Sequence, residues 1–364
     1  MTQFIPLKKV MSFLPETINI NKAVFKKMLV VLTQSNQNIC LQQACEQTGL
    51  YTHSKNILDN FKEFSLDEIK EMFFECSLAI LNYSIPKLGL RYIKLAVDIT
   101  EEPYYGKLDN AYIWNRTPKS PAGATGAYKY LTISATNHDC KLILFNMMLG
   151  PGYQIEELIP IFLENIRDLI PIKQVTFDRG FDNHKLVYEL EKLKLNYIIF
   201  SKKNKTVKKK FENIFIGEST SEYRNLEFYK LGDKYTCKAK FIYIKAFQFE
   251  KNEEKYDWIF ITNMSFDSIR HTIASYRNRW GIETVFRVLK QNFRIKTTSK
   301  HQSVRLMCWF FSMMFYNIWQ IAKYFISNHI RAKSFFETLR FGFKMKYNLT
   351  YAYEKEILNF FGLN

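Results

Sequence analysis

The chain has 364 residues, 47% of them apolar, with a formal net charge of +17 and a pI of about 9.4. That apolar share excludes a chain without a core, and the length allows one large domain with appendages or two to three smaller ones. The charge favours a polyanionic partner, nucleic acid before an anionic membrane surface, although the abundance of Lys, Asn, Ile, Phe and Tyr also fits AT-rich coding.

Residues 1–88 read as helical. NKAVFKKMLVVLTQ (21–34) and SLDEIKEMFFECSLAILNY (65–83) carry apolar residues at i, i+3, i+4 spacing, and Ser65 with Glu68 forms a capping-box pattern. Between them, residues 38–64 read as helix, turn at Gly49, helix, which is either a helix-turn-helix DNA reader or an ordinary helical hairpin. Pro86 and Gly89 mark a boundary.

A different texture follows. RYIKLAVDI (91–99), AYKYLTISATN (127–137) and KLILFNMML (141–149) predict strands, the last two parted by the turn-like NHDC. Next come an amphipathic helix (156–169), a buried strand KQVTFD (173–178), a helix (184–194) and a strand NYIIFSK (196–202). The order βββαβαβ predicts an α/β layout with a mixed sheet. KKNKTVKKK (202–210) holds six Lys and no acid, and strands at 225–231, 235–247 and 256–262 then suggest a β-rich insertion over about 202–262. Helix resumes at 267–293. The stretch 297–364 is helical and aromatic-rich, so a division into 1–88, 89–300 and 301–364 is expected.

One apolar segment, Leu306–Ile326, is long enough to span a bilayer. Ser312, Asn317, Gln320 and Lys323 interrupt it, so it reads as a buried or partner-facing helix and no membrane association is expected. The N-terminal residues lack the apolar core and cleavage site of a signal peptide. Cys40, Cys45, Cys76, Cys140, Cys237 and Cys308 form no CxxC pair and no zinc spacing with His, which suits reduced thiols in a cytosolic, nucleoid-associated protein.

The chemistry concentrates in SYRNRWGIETVFRVLKQNF (275–293). On a helix, Tyr276, Arg279, Glu283 and Lys290 fall within roughly 60° of one another. Ile282, Val285, Phe286, Leu289 and Phe293 form an apolar stripe beside them. One acid among bases and a phenol, at the edge of a buried face, suits phosphate chemistry. Asp98 and Asp178 each end a predicted strand, where α/β sheets open their ligand crevice. Three carboxylates from two strands and a helix can hold two Mg²⁺ ions about 3.5–4 Å apart, with Mn²⁺ as a substitute. Each acid also has a structural reading, as turn residue, cap or surface ion pair, with Arg287 a second i,i+4 partner for Glu283. Asp109, Asp139 and Asp182 rank below because none ends an apolar strand, and His138, His184 and His271 show no ligand spacing.

Tyr276-x2-Arg279-x3-Glu283-x6-Lys290 matches at full spacing the Tyr-Arg-Glu-Lys signature of DDE insertion-sequence transposases, the hairpin-forming cut-and-paste class. Asp98 and Asp178-Arg179 resemble that family's first and second acids, and ITEEPYYGK (99–107) is similar to the segment after the first acid in an archaeal branch. Over about Leu90–Thr298 the resemblance implies an RNase H-like core with a β-insertion before the glutamate. It implies metal binding and catalysis at Asp98, Asp178 and Glu283, and phosphate contacts from Tyr276, Arg279 and Lys290. It also implies a homodimer on double-stranded DNA. Trp258 resembles a tryptophan that stacks on a flipped base in relatives; as a plain strand aromatic it would only pack. Arg287 and Lys208, Lys209 and Lys210 are further candidate phosphate contacts, whereas Trp280 reads as packing. A rival reading is a transposase-derived DNA-binding protein that has lost catalysis.

Overall fold

A computed structural model describes residues 31–32, 40–48, 53–118, 120–136, 140–251, 253–325 and 331–335. Most of the helix expected over 21–34, the Gly49 turn, His138, Asp139 and most of the chain beyond 325 lie outside these residues.

Helices α1 (Leu41–Thr48) and α2 (Ser54–Lys62) form at either side of the expected turn. Gln42 Oε1 accepts the backbone N–H of Ser54 at 2.8 Å, satisfying a donor that the start of α2 leaves open. Helix α3 (Leu66–Leu88) starts at the capping box: the Ser65 hydroxyl accepts the Glu68 N–H at 3.2 Å, and the Glu68 carboxylate accepts the Ser65 N–H at 2.8 Å. Pro86 lies inside this helix, close to the boundary expected at Pro86 and Gly89. It sits in the last turn, and Gly89 closes the helix at φ 59°, a left-handed position that glycine takes without strain.

Strands β1 (Ile93–Tyr104), β2 (Ile113–Asn115), β3 (Gly126–Ala135) and β4 (Ile143–Leu149) lead to helix α4 (Ile155–Arg167). Strand β5 (Ile172–Phe177), helix α5 (His184–Lys192) and strand β6 (Tyr197–Phe200) follow. Apart from the three-residue β2, this is the βββαβαβ order read from the sequence. Strand β1 is central, antiparallel to β3 and parallel to β5; β4 pairs with β3, and β6 runs parallel to β5. The mixed sheet flanked by helices is an RNase H-like fold.

Helix α6 (Lys205–Glu212) and strands β7 (Ser219–Lys230), β8 (Asp233–Phe247) and β9 (Tyr256–Thr262) form the insertion. These strands build no separate sheet. Strand β9 pairs antiparallel with β6, so the order runs β2-β3-β1-β5-β6-β9-β8-β7 without a break. The two faces of β8 are covered differently. Phe241 and Tyr243 join the core that Val207 and Phe211 of α6 enter, while Ile242 and Ile244 pack with Ile273 and Tyr276 on the other side.

Helices α7 (Ile269–Arg277) and α8 (Trp280–Val288) and a π-turn (Leu289–Phe293) precede helix α9 (Gln302–Phe325). The candidate spanning segment falls on α9, which packs against α2, α3 and β4 and is buried at nearly every position to Ala322. Its polar residues explain the interruptions. Asn317 accepts the Ile143 N–H at 2.9 Å and donates to the Ile143 carbonyl at 2.8 Å, covering one residue on the open edge of β4. Ser312 accepts the Ile295 N–H at 3.0 Å. Among the described residues, no helix is long and apolar enough to cross a membrane.

Candidate active site

Strand β1 alone corrects one expectation. Asp98 does not end it: the strand continues to Tyr104, because residues 99–104 keep pairing with β3 out to Gly126. What ends at Asp98 is the partner on the other side. The last β1–β5 pair is Val97 with Phe177, so Asp98 and Asp178 are the next residues on two adjacent strands. Both acids thus stand where β5 leaves the sheet, the place where α/β sheets open a ligand crevice.

Asp178 is held by its own turn. Its carboxylate accepts the Gly180 N–H at 2.7 Å and caps the short helical turn Arg179–Phe181. The third acid arrives from α8. Arg279 links it to the first, its Nη1 donating to Asp98 Oδ2 at 3.3 Å and its Nη2 to Glu283 Oε1 at 2.5 Å. Arg279 Nε donates to the Tyr276 hydroxyl at 3.2 Å, so phenol, guanidinium and two carboxylates form one connected group.

The spacing of the tetrad follows from how α8 lies along β1. Seven residues of helix from Glu283 to Lys290 rise about 10 Å. Three residues of strand from Asp98 to Glu101 advance about the same distance. Lys290 Nζ accordingly donates to the Glu101 carbonyl at 2.8 Å. Ile282, Val285, Phe286, Leu289 and Phe293 are all buried, as the stripe predicted. Gly281 permits the close approach: a Cβ there would lie 3.0 Å from both Cβ and Cγ2 of Thr136, at the end of β3. Gly281→Val is expected to lower stability by about 1–3 kcal/mol through this overlap, measured by urea denaturation; an unchanged midpoint would show that α8 is free to shift.

Burial raises the Asp98 carboxyl to about 6; Arg279 and the Ile99 N–H oppose the rise, while Asp178 and Glu283 add to it. Burial likewise pushes the Tyr276 phenol up to about 12, with Arg279 pulling against it. Lys290 is lowered by burial, against the pull of Glu102. Asp98 thus senses both other acids.

Asp178, Arg179, Phe200, Tyr256, Trp258, Tyr276, Arg279 and Trp280 line a cavity of about 400 Å³ beside the acids. Arg179 lies 4.6 Å over the Phe200 ring and donates to the Tyr256 hydroxyl at 2.9 Å. Trp258 belongs to this wall as a half-buried ring among Phe200, Tyr256, Phe260 and Tyr276, with its indole N–H buried and unbonded. Trp280 departs from its expected packing role. It is 39% exposed at the cavity, with Arg277 4.1 Å over its ring.

Other expected residues sit elsewhere. Val207 and Phe211 anchor α6 on the face of β8 opposite α7, which carries Lys208, Lys209 and Lys210 away from the acids. Lys210 is paired with Glu222 at 2.7 Å, while Lys208 and Lys209 are exposed. Arg287 is exposed on α8, one turn beyond Glu283. Asp182 accepts from Ser201 Oγ and the Lys202 N–H, each at 2.8 Å, and Asp109 pairs with Lys300 at 3.8 Å. Phe200 and Tyr256, whose strand positions look like core in the sequence, also belong to the site, as does Glu102 close by. Glu102 shares a face of β1 with Asp98 and is buried against Arg294 and Arg305.

A family model described as a transposase DDE domain matches residues 135–318. The chain belongs to the DDE transposase domain family. The matched span holds Asp178, Tyr276, Arg279, Glu283 and Lys290, with Asp98 upstream on β1. Among solved structures, the DDE chain is similar in fold to a piggyBac transposase, seen by cryo-electron microscopy in a synaptic complex with hairpin DNA. The identity is 11% and the TM-score 0.54, over 92% of this chain and 74% of that one. A Mos1 transposase in a paired-end complex with the left transposon end aligns at 13% identity over 47% of this chain and 57% of that one, with a TM-score of 0.20. A search of curated proteins returns no match.

DDE transposases are in general dependent on divalent metal. The donor chemistry here suits a hard cation: carboxylate oxygens, one of them in a buried group whose charged form is disfavoured by two neighbouring acids. Among the described residues no three acids stand close enough to hold an ion as they lie, since Arg279 bridges Asp98 and Glu283.

Proposed function

We propose that this protein is a DNA transposase. It binds the terminal inverted repeats of its element as a dimer, cuts the strands and joins the freed ends to target DNA, passing through a hairpin. The observation that carries the reading is the meeting of Asp98 and Asp178 beyond the last β1–β5 pair, with Glu283 tied to Asp98 through Arg279.

Asp98, Asp178 and Glu283 would hold Mg²⁺ or Mn²⁺, which when bound supplies activation of the attacking oxygen and neutralisation of charge on the leaving one. The remaining work belongs to the chain. The Gly180 N–H fixes the Asp178 carboxylate, so its free oxygen is pre-aimed. The Tyr276 hydroxyl holds Nε of Arg279, leaving a planar fork suited to a phosphate once DNA competes with the carboxylates. Lys290, against β1, supplies a second cation along the same strand. Trp258 and Trp280 border a cavity of about 400 Å³ and offer ring faces to an unstacked base. Such a stack is worth ~1–3 kcal/mol. Exposed Arg287, Lys208 and Lys209 would meet phosphates farther out.

Purified protein mixed with its element's terminal DNA and Mg²⁺ or Mn²⁺ should nick it and yield hairpin ends that migrate as longer strands on a denaturing gel. Intact DNA under all these conditions would overturn the catalytic reading; nicks without hairpins would overturn only the route. Arg279 between Asp98 and Glu283 is the feature that favours a non-catalytic DNA-binding descendant. Calorimetry with Mn²⁺ in the presence of DNA separates the two, since only the enzyme should take up the ion.

A further inference from the structure

Two ion pairs fasten helix α8 to β1. At its start Arg279 reaches Asp98, and just past its end, beyond the π-turn, Arg294 reaches Glu102. The second fastening is the more buried on its acidic side. The Glu102 side chain is 8% exposed and takes both Nε and Nη2 of Arg294 on one oxygen, at 3.0 and 2.5 Å. Its other oxygen accepts the Tyr130 hydroxyl at 3.3 Å and faces Arg305 of α9 at 4.0 Å. Arg305, 7% exposed, lies over the rings of Tyr104 and Tyr128. One carboxylate therefore joins β1, β3, the chain leaving α8 and helix α9.

Taking a carboxylate and two guanidinium groups out of water costs about as much as their attraction returns, so stability alone is a weak reason to build such a cluster. Its position suggests a more specific use. Lys290 stands in the π-turn four residues before Arg294, and its amine rests on the carbonyl of Glu101, the residue before Glu102. π-turns are uncommon and concentrate at functional sites. Here Leu289 and Phe293, at the two ends of the turn, are both buried while Lys290 reaches β1.

We propose that Glu102 is a positioning residue: through Arg294 it fixes the π-turn, and so sets the place of Lys290 along β1. The inference rests on the reading of Lys290 as a phosphate contact. It also gives the two fastenings different duties. Arg279 shares Asp98 and Glu283 with whatever the acids bind, so the first fastening is released in use. Glu102 holds the helix in register through that exchange.

The test uses the full chain. Glu102→Gln alone leaves the buried Arg305 and the half-buried Arg294 without their shared counter-charge and should lower the melting temperature. Glu102→Gln with Arg294→Gln removes one of the two unpaired charges and should recover part of that loss. In this double variant Lys290 should be acylated several-fold faster than in the parent, read by mass spectrometry after brief treatment with an amine-reactive acetylating reagent. The salt dependence of its binding to a duplex probe should fall by about one phosphate, close to 0.9 in log–log slope. Adding Lys290→Gln should then change the slope no further, whereas in the parent it should cost the same single phosphate. A merely structural Glu102 predicts instead a double variant with parental acylation and slope, and that result overturns the proposal. If the parent binds DNA without salt dependence, the phosphate reading of Lys290 fails, and the acylation rate alone then decides whether Glu102 positions the amine.

Discussion

Asp178→Asn and Glu283→Gln are each expected to slow cleavage of terminal DNA at least about 10³-fold while leaving the fold and DNA binding near parental levels. Both changes keep side-chain size and remove only the negative charge. Each replacement amide still offers a carbonyl oxygen, so the Gly180 N–H and Arg279 keep acceptors. What disappears is an anionic ligand, and several kcal/mol of transition-state charge stabilisation goes with it, each 1.36 kcal/mol being tenfold in rate. Lys290→Gln should behave differently, weakening DNA binding and its salt dependence more than the rate at saturating DNA. Single-turnover cleavage with saturating enzyme separates the two patterns. Parental rates in both acid variants would remove Asp178 and Glu283 from the chemistry.

The tetrad was legible in the sequence because its spacing is set by a regular geometry. A helix laid along a strand must place Glu283 and Lys290 at matching heights on β1, and helical periodicity alone puts them on one side. The apolar stripe beside it was legible for the same reason. Asp98 was found through the wrong feature. It looked like a strand end, yet the strand runs on, and the crevice depends on where β5 stops, which only pairing reveals.

Glu102 was hidden for a physical reason. Two adjacent glutamates before a proline look like a solvated surface, and nothing local tells that Arg294 and Arg305, about 190 and 200 residues later, bury one of them. Trp280 erred in the opposite direction: an aromatic beside an apolar stripe reads as core, but the helix turn places it at the cavity, under Arg277. Helix α9 was resolved by its polar residues. Asn317 and Ser312 would be costly in lipid, and they have buried backbone partners in β4 and at Ile295.

Asp98→Asn is expected to make the metal-free protein more stable at pH 7.5, by on the order of 2–3 kcal/mol, while abolishing cleavage. Burial is the largest cause of the raised carboxyl, lifting it to about 6 from an ordinary value of 3.8, with Asp178 and Glu283 adding to the effect and Arg279 only partly offsetting it. A raised carboxyl binds its proton more tightly in the native protein than in the unfolded chain. Its contribution to stability is therefore fully present below about pH 3.8 and is lost as the pH rises to about 6. Above that the native state carries a buried carboxylate at a cost of about 1.4 kcal/mol for each tenfold change in proton affinity. Asparagine has no such charge, so the advantage of the variant should shrink on acidification and vanish near pH 4. Urea denaturation in the presence of a chelator, at pH 4, 5.5 and 7.5, measures it. Mn²⁺ should then stabilise the parent and not the variant, since bound ligand adds stability only where a site exists. A variant no more stable than the parent at pH 7.5, or a difference that persists unchanged at pH 4, would mean that Arg279 fully compensates Asp98 and that the pocket is not poised to receive a cation.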